Sequence, residues 1–236
     1  MKNIRVYITE LTGTFFLVFA GCSAIAVNQG NGLLGHLGIA IVFGVVVTIN
    51  IYTFGHISGC HINPAVTIAF ACVNLFPWKH VVPYIIFQIL GAILGSLLSF
   101  YIFGKNFFSS VTLPADYSMM KIIIIEFILT SFLMITIISV ATDQRSNNNF
   151  AGLIIGLVIL IAALVGGPIS GASLNPARSL GPALISGNLN YILIYIFSPI
   201  VGAITGSIFY EYIKYGNLPQ KREHSYGVLG EIDKIS

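Results

Sequence analysis

Charge is what this sequence has least of. Of its 236 residues only 8% are Asp, Glu, Lys or Arg, while 56% are hydrophobic and the mean hydropathy is +0.90. A water-soluble domain carries about a quarter charged residues. So few polar groups cannot cover a globule in water, which excludes a soluble domain and makes lipid the main solvent. The net charge of +3 is too slight to ask for a nucleic-acid partner. Cysteine is also scarce. Cys22, Cys60 and Cys72 sit in apolar surroundings without disulfide or metal-ligand spacing and read as packing thiols. His36, His56 and His80 likewise lack ligand spacing, so neither a metal nor a cofactor is expected. Nucleophile, base and acid converge in no motif, which speaks against an enzyme.

What the chain has in abundance is long apolar runs. A bilayer core asks for about 20 apolar residues per helix. Six runs meet this, at 8–28, 35–55, 81–103, 119–141, 150–168 and 190–213. Two shorter ones, 64–75 and 176–186, cannot cross at about 1.5 Å of rise per residue. They suit half-spanning helices whose non-helical ends are buried in protein or face water. The first run has a rival reading. Lys2 and Arg5 precede it, and "FAGC" at 19–22 loosely resembles a lipoprotein cleavage site. Glu10 interrupts that run and five more spans follow, which favours a first span. The expected organisation is a short N-terminus at 1–7, a membrane domain at 8–213, and a polar tail at 214–236.

Six spans put both termini on one side. Lys2, Arg5, Lys79, Arg145, Lys214, Lys221, Arg222 and Lys234 collect there, against Lys105 and Lys121 opposite. Basic residues favour the cytoplasmic side, so both termini are expected in the cytoplasm of a plasma or inner membrane.

The two halves repeat. "HISGCHINPAVT" at 56–67 matches "PISGASLNPARS" at 168–179, an offset of 112. "GAILGS" at 91–96 matches "GAITGS" at 202–207, and "TELTGTFFLVF" at 9–19 echoes "IEFILTSFLMI" at 125–135. Each half, about 8–103 and 119–213, holds three spans and one short helix. Three is odd, so the second half enters the membrane from the opposite face, and inverted repeats place a site near the midplane. The "GAxxGS" pairs read as small-residue packing faces.

Inversion explains the repeated Asn-Pro-Ala. Asn is a preferred N-cap and Pro is favoured at the first helical position. Asn63, Pro64 and Ala65 therefore start one half-helix, and Asn175, Pro176 and Ala177 start the other. Their positive dipole ends meet at mid-bilayer, where each Asn caps with its oxygen and can turn its NH₂ into a pore. Gly59, Cys60 and His61, with Gly171, Ala172 and Ser173, cannot be helical ahead of those caps. Their extended carbonyls can accept hydrogen bonds along two vestibules. Donors at the centre and acceptors on the approaches suit a neutral solute and oppose a cation. Glu10 and Glu126 occupy equivalent buried places. They serve either as a proton relay or, better, as acceptors for the loop backbone. His61 either senses pH or lines the pore with its carbonyl.

"SGCHINPAVT" and "SGASLNPARS", with Arg178 directly after the second triplet, resemble the two signature loops of the aquaporin, or major intrinsic protein, family. The resemblance covers about residues 5–213. It implies an all-α, aquaporin-like fold, a homotetramer in the lipid bilayer with one pore per subunit, and passive passage of water or small uncharged solutes. Carried over by position, the pore asparagines are Asn63 and Asn175, and the outer constriction is Phe43, Ala163, Ala172 and Arg178. Strict water channels of the family usually have His where Ala163 stands, so the ring resembles its wider, solute-conducting members. Phe43 and the alanines would pack carbon while Arg178 binds oxygens. Glycerol-type members usually have Asp where Ser179 stands, often a basic residue at Ala183, and another pair at Tyr195 and Ile196. The whole pattern most resembles the nodulin-like intrinsic proteins and their bacterial relatives, which implies glycerol and, in some members, urea or metalloid hydroxides. The alternatives are a water-selective aquaporin and a secondary transporter, which also uses inverted repeats and broken helices.

Overall fold

The computed structural model describes residues 2–143, 145–146 and 148–216. The expected tail from residue 217 onward, with Lys221, Arg222 and Lys234, lies outside the described residues. Among the described residues eight α-helices follow in order: α1 Lys2–Asn31, α2 Gly35–Ser58, α3 Pro64–Cys72, α4 Trp78–Phe103, α5 Met119–Thr142, α6 Ala151–Ser170, α7 Pro176–Ser186 and α8 Ile192–Tyr215. Six are long and apolar enough to cross a membrane. The two short ones, of 9 and 11 residues, are α3 and α7.

Boundaries differ from the hydropathy reading in three places. Residues 2–7 are the first turns of α1 and not a segment apart. The helix expected over 64–75 stops at Cys72, because Asn74 takes a left-handed φ of 60° and turns the chain toward α4. A 3₁₀ stretch, Gly104–Ser110, continues past the third apolar run, which ends at 103.

The bundle keeps an apolar interior and exposes apolar side chains as well, which a soluble one would bury. Ile86, Leu90, Leu94 and Leu97 form an exposed stripe on α4, and Leu153, Leu157, Ile161 and Val165 form one on α6. Lipid rewards that surface as well as a core would, so helix association must come from close packing and interhelical hydrogen bonds. Small residues supply the packing. A Cβ on Gly91 would collide with the Leu11 carbonyl, and one on Gly95 would lie 2.6 Å from the Phe15 carbonyl, so α4 seats on α1. In the second half a Cβ on Gly202 would lie 2.5 Å from the Phe127 carbonyl and one on Gly206 would strike that of Ser131, so α8 seats on α5. The halves join where α2 crosses α6. A Cβ on Gly44 would fall 2.7 Å from the Gly156 carbonyl, and one on Gly156 would fall 2.6 Å from the Gly44 carbonyl. These two glycines are 112 residues apart and meet on the pseudo-two-fold axis.

Between α2 and α3, and again between α6 and α7, the chain leaves the helix inside the bundle. The expectation of plainly extended loops needs correction. Gly59, Cys60 and Ile62 have φ of 81°, 50° and 44°, and Gly171, Ala172 and Leu174 have 81°, 43° and 52°. Non-glycine residues in that left-handed region cost about 1–2 kcal/mol each. Two buried carboxylates offset this. Glu10 Oε1 accepts from Ser58 Oγ (2.7 Å) and His61 N (3.0 Å), while Oε2 accepts from Ile62 N (2.7 Å) and Gln88 Nε2 (2.8 Å). Glu126 Oε1 accepts from Ser170 Oγ (2.6 Å) and Ser173 N (2.9 Å), and Oε2 from Leu174 N (2.9 Å). Every partner is a donor, so only an acceptor at both oxygens fits. The left-handed residues aim successive N–H groups at one carboxylate and leave the carbonyls pointing elsewhere. Tyr84 and Tyr195 tie down the two helix ends by donating to Ser58 O (2.8 Å) and Ser170 O (2.7 Å).

At the end of the bundle shared by α1's start and α8's end, Asp143 anchors the α5–α6 connection. Arg145 donates to it from Nη2 at 2.7 Å, Tyr210 Oη at 3.1 Å, and Lys214 Nζ stands 3.4 Å away. The hydrogen bond from Arg145 is the main reason this carboxyl is held below the usual carboxylate range, with Tyr210 and Lys214 adding to it. A lowered folded pKa means stability that is present at neutral pH and lost on acidification. The melting temperature of the wild type in detergent is expected to exceed that of Asp143→Asn at pH 7. The gap should shrink below about pH 4 as the carboxylate takes up its proton; a pH-independent gap would contradict this.

Glu126→Gln replaces one acceptor oxygen with an NH₂ that faces donors. Each charge-assisted bond so lost is worth about 1.5–3 kcal/mol. Thermal unfolding of purified Glu126→Gln and Glu10→Gln should fall well below wild type, Glu10→Gln further because its carboxylate meets four donors. Equal melting temperatures would show that the loops are held by something else.

Candidate functional site

The two broken helices meet at their N-terminal tips. Asn63 is extended (φ −158°) and its Oδ1 accepts from Ala65 N at 2.9 Å. Asn175 does the same for Ala177 N at 3.0 Å and Arg178 N at 3.3 Å. Pro follows each cap, where its missing N–H costs nothing. The NH₂ groups then cross the two-fold axis. Asn63 Nδ2 donates to Leu174 O and Asn175 Nδ2 to Ile62 O, both at 2.8 Å. The expectation that these amides simply face a pore is therefore refined. One hydrogen of each holds the opposite loop, and the second remains for the cavity that both asparagines line.

That cavity is about 930 Å³ including the space at its mouths, and both halves of the chain line it. Phe43, Ala163, Ala172 and Arg178 all face it, as do Gly59, Cys60, His61 and Ser173. Gly171 does not line it; a Cβ there would instead meet Thr112 at 3.4 Å. Its remaining walls are mostly aliphatic, with Val47, Leu133 and Ile159 among them, together with the ring of Phe70. Ala65, Pro64, Pro176 and Ala177 are buried behind the tips, at the starts of their helices. Glu10 and Glu126 are fully buried behind the loops and lie outside the lining.

Arg178 is only 3% exposed, in the first turn of α7. Its Nη1 donates to Ser110 O at 3.0 Å, its Nε is buried with no partner among the described residues, and its guanidinium carbon sits 5.1 Å from the Phe43 ring centroid. Gly21 makes room for that ring, since a Cβ there would collide with it. A buried cation with so few bonds keeps donors free for whatever enters.

His61 packs among Phe70, Phe76 and Tyr84, and its Nδ1 lies 3.1 Å from Thr67 Oγ1. Thr67 spends its own proton on Asn63 O at 3.0 Å, so the network assigns the hydrogen to Nδ1 and leaves Nε2 as an acceptor. In the second half Ser173 Oγ lies 2.6 Å from Ser179 Oγ, to which Thr112 donates at 2.6 Å. Ser179, singled out as a departure, thus completes a loop-bracing chain, and Tyr195 is a fully buried brace rather than a wall.

Sequence reasoning missed Ser58 and Ser170, Tyr84, Gln88, and the Ser110–Thr112 segment. The first three were within reach: Ser58 and Ser170 sit in the shared "ISG", and Tyr84 precedes Tyr195 by the same 111 residues that separate the GAxxGS motifs. The Ser110–Thr112 segment has no counterpart pattern to give it away. Among the described residues no group of His, Cys, Asp and Glu is arranged to hold a metal.

The major intrinsic protein family model matches residues 1–210. Aquaporin NIP1-1 of Oryza sativa subsp. japonica is 47% identical over 218 residues, covering 92% of this chain and 76% of that protein. Nodulin-26 of Glycine max is 46% identical over 218 residues, covering 92% and 80%. The X-ray structure of the aquaglyceroporin from Plasmodium falciparum superposes with a TM-score of 0.83 at 26% identity, over 90% of this chain and 97% of that one. Six membrane-length helices, two half-helices joined tip to tip and these relatives agree: the chain belongs to the major intrinsic protein, or aquaporin, family, multi-pass membrane channels for water and small neutral solutes.

Proposed function

We propose that this channel passes solutes wider than water, glycerol first, with urea and metalloid hydroxides in the same size class, and that it turns back ions and protons. The observation that carries this reading is the group Phe43, Ala163, Ala172 and Arg178 on one cavity. Two alanines leave the opening broad and apolar on two sides. Arg178, with its unpaired Nε, is the selectivity donor and binds solute oxygens while Phe43 packs against carbon.

Asn63 and Asn175 act as the central donors. Each half-helix tip carries roughly half a positive charge, and Arg178 adds a full one, so a cation loses hydration and gains nothing. A water file is turned at the asparagines, whose fixed donors prevent a proton from hopping through. Carbonyls of Gly59, Cys60, His61, Ala172 and Ser173 accept hydrogen bonds from the moving solute, so that hydration is replaced step by step. Glu10 and Glu126 serve as supports and not as relays: all their contacts are with loop and helix donors. Flux is therefore passive, without the ion coupling of a transporter, and the chain has no enzymatic activity. Both termini face the cytoplasm of a plasma or inner membrane, and four copies assemble with one pore each, as family membership implies.

Proteoliposomes containing the wild type should swell in inward gradients of glycerol and urea at rates linear in concentration. Saturation, or dependence on an ion gradient, would mean a carrier instead. Arg178→Ala should open a measurable cation or proton leak in the same vesicles; unchanged ion tightness would remove Arg178 from the selectivity role. Ala163→His combined with Ala172→Cys should cut glycerol flux about tenfold or more while water still passes. Undiminished glycerol flux would show that these positions do not set the width.

A further inference from the structure

The pseudo-two-fold axis gives every residue of the proposed filter a partner at the other end of the cavity. With the 112-residue offset, Phe43 maps to Ile155, Ala163 to Ile51, Ala172 to Cys60 and Arg178 to Val66. The register is independent of the loops, because Gly44 and Gly156, next to Phe43 and Ile155, contact each other's carbonyls across the axis. All four partners line the same cavity as the filter itself. We propose that Ile51, Cys60, Val66 and Ile155 form a second, apolar constriction at the amino-terminal end of the pore, which selects solutes by girth. This deepens the channel reading above and rests on it.

The chemistry of this ring is opposite to that of the first. Where Arg178 presents donors, Val66 presents two methyl groups. Three of the four side chains are β-branched and stiff at χ1, so the opening has little freedom to widen. Ile155 faces the lumen where the first ring has Phe43, and Ile51 where it has Ala163. The second ring is therefore bulkier on the Ile51 side and carries no charge. A solute's oxygens are bound at one end, and its carbon skeleton is gauged at the other. Because the rings act in series, opening only one leaves the other limiting.

The test uses two polyols of like chemistry and different girth, glycerol and the quaternary-carbon tetraol pentaerythritol, with purified full-length protein in liposomes. Phe43→Ala alone and the pair Ile51→Ala with Ile155→Ala should each leave pentaerythritol at the rate of empty liposomes. All three changes together should raise its rate about tenfold or more, the discrimination expected for small volume changes in an apolar pocket. If Phe43→Ala alone admits pentaerythritol as fast as the triple variant, or if the triple variant excludes it while glycerol still passes, the second ring is not a constriction. Wild-type vesicles that pass no glycerol would instead sink the channel reading, so the two failures are distinct.

A second measurement avoids large changes in the core. In a background with Cys22→Ser and Cys72→Ser, methyl methanethiosulfonate attached to Cys60, confirmed by mass spectrometry, should lower glycerol flux, and a reductant should restore it. Modified protein with full flux, or a Cys60 that the reagent never reaches while glycerol passes, would overturn the proposal.

Discussion

Non-helical backbone in the middle of a membrane is the constraint on which this structure turns. Lipid offers no hydrogen bonds, so each open N–H or carbonyl there must be met by protein or by water in a cavity. Here the division is strict. The N–H groups of His61 and Ile62 go to Glu10, and those of Ser173 and Leu174 go to Glu126. Two of the carbonyls are used to hold the halves together, Ile62 O by Asn175 and Leu174 O by Asn63. Backbone that would be a defect in any other membrane segment becomes a polar lining along a dry-walled passage. The left-handed residues permit this division, because a regular strand would send alternate N–H groups to opposite sides.

Duplication solves the problem twice with the same parts, and the places where the copies differ are where direction enters. Glu10 and Glu126, Ser58 and Ser170, Tyr84 and Tyr195, and Asn63 and Asn175 make matching bonds in each half. The scaffold is symmetric in kind. The lumen is not: Val66 stands opposite Arg178, His61 opposite Ser173, and Cys60 opposite Ala172. A channel that binds solute equally at both mouths gains no selectivity from having two. Under the proposed reading, placing Arg178 in one half concentrates oxygen recognition there and leaves the other half to judge shape.

Most of this architecture was legible in the residues. Six long apolar runs, two short ones and an offset near 112 imply an inverted repeat from sequence alone. Asn followed by Pro names the start of each half-helix. Less was legible wherever the answer depends on partners distant in sequence. Hydropathy sees VNL after Cys72 as more apolar helix, yet Asn74 breaks it, and apolar side chains bury as well in a turn as in a helix. The crossed amide bonds from Asn63 and Asn175 require knowing how close the tips come, which no local pattern records. Ser110 binds Arg178 through its carbonyl, and any residue type could do that, so its identity carries no signal at all.

Arg178 shows how these levels combine. A lone cation in a membrane is expensive, and its neighbours reduce that cost only in part, through one carbonyl bond and an aromatic face. Its position three residues past a helix cap places it where the α7 dipole is positive, a location no stability argument would choose for an arginine. Under the proposed role of Arg178 as selectivity donor, the passing solute completes the guanidinium's hydrogen bonds and gives this placement its chemical sense. In that reading solute and water exchange on one set of donors, which is how a site that binds can also conduct.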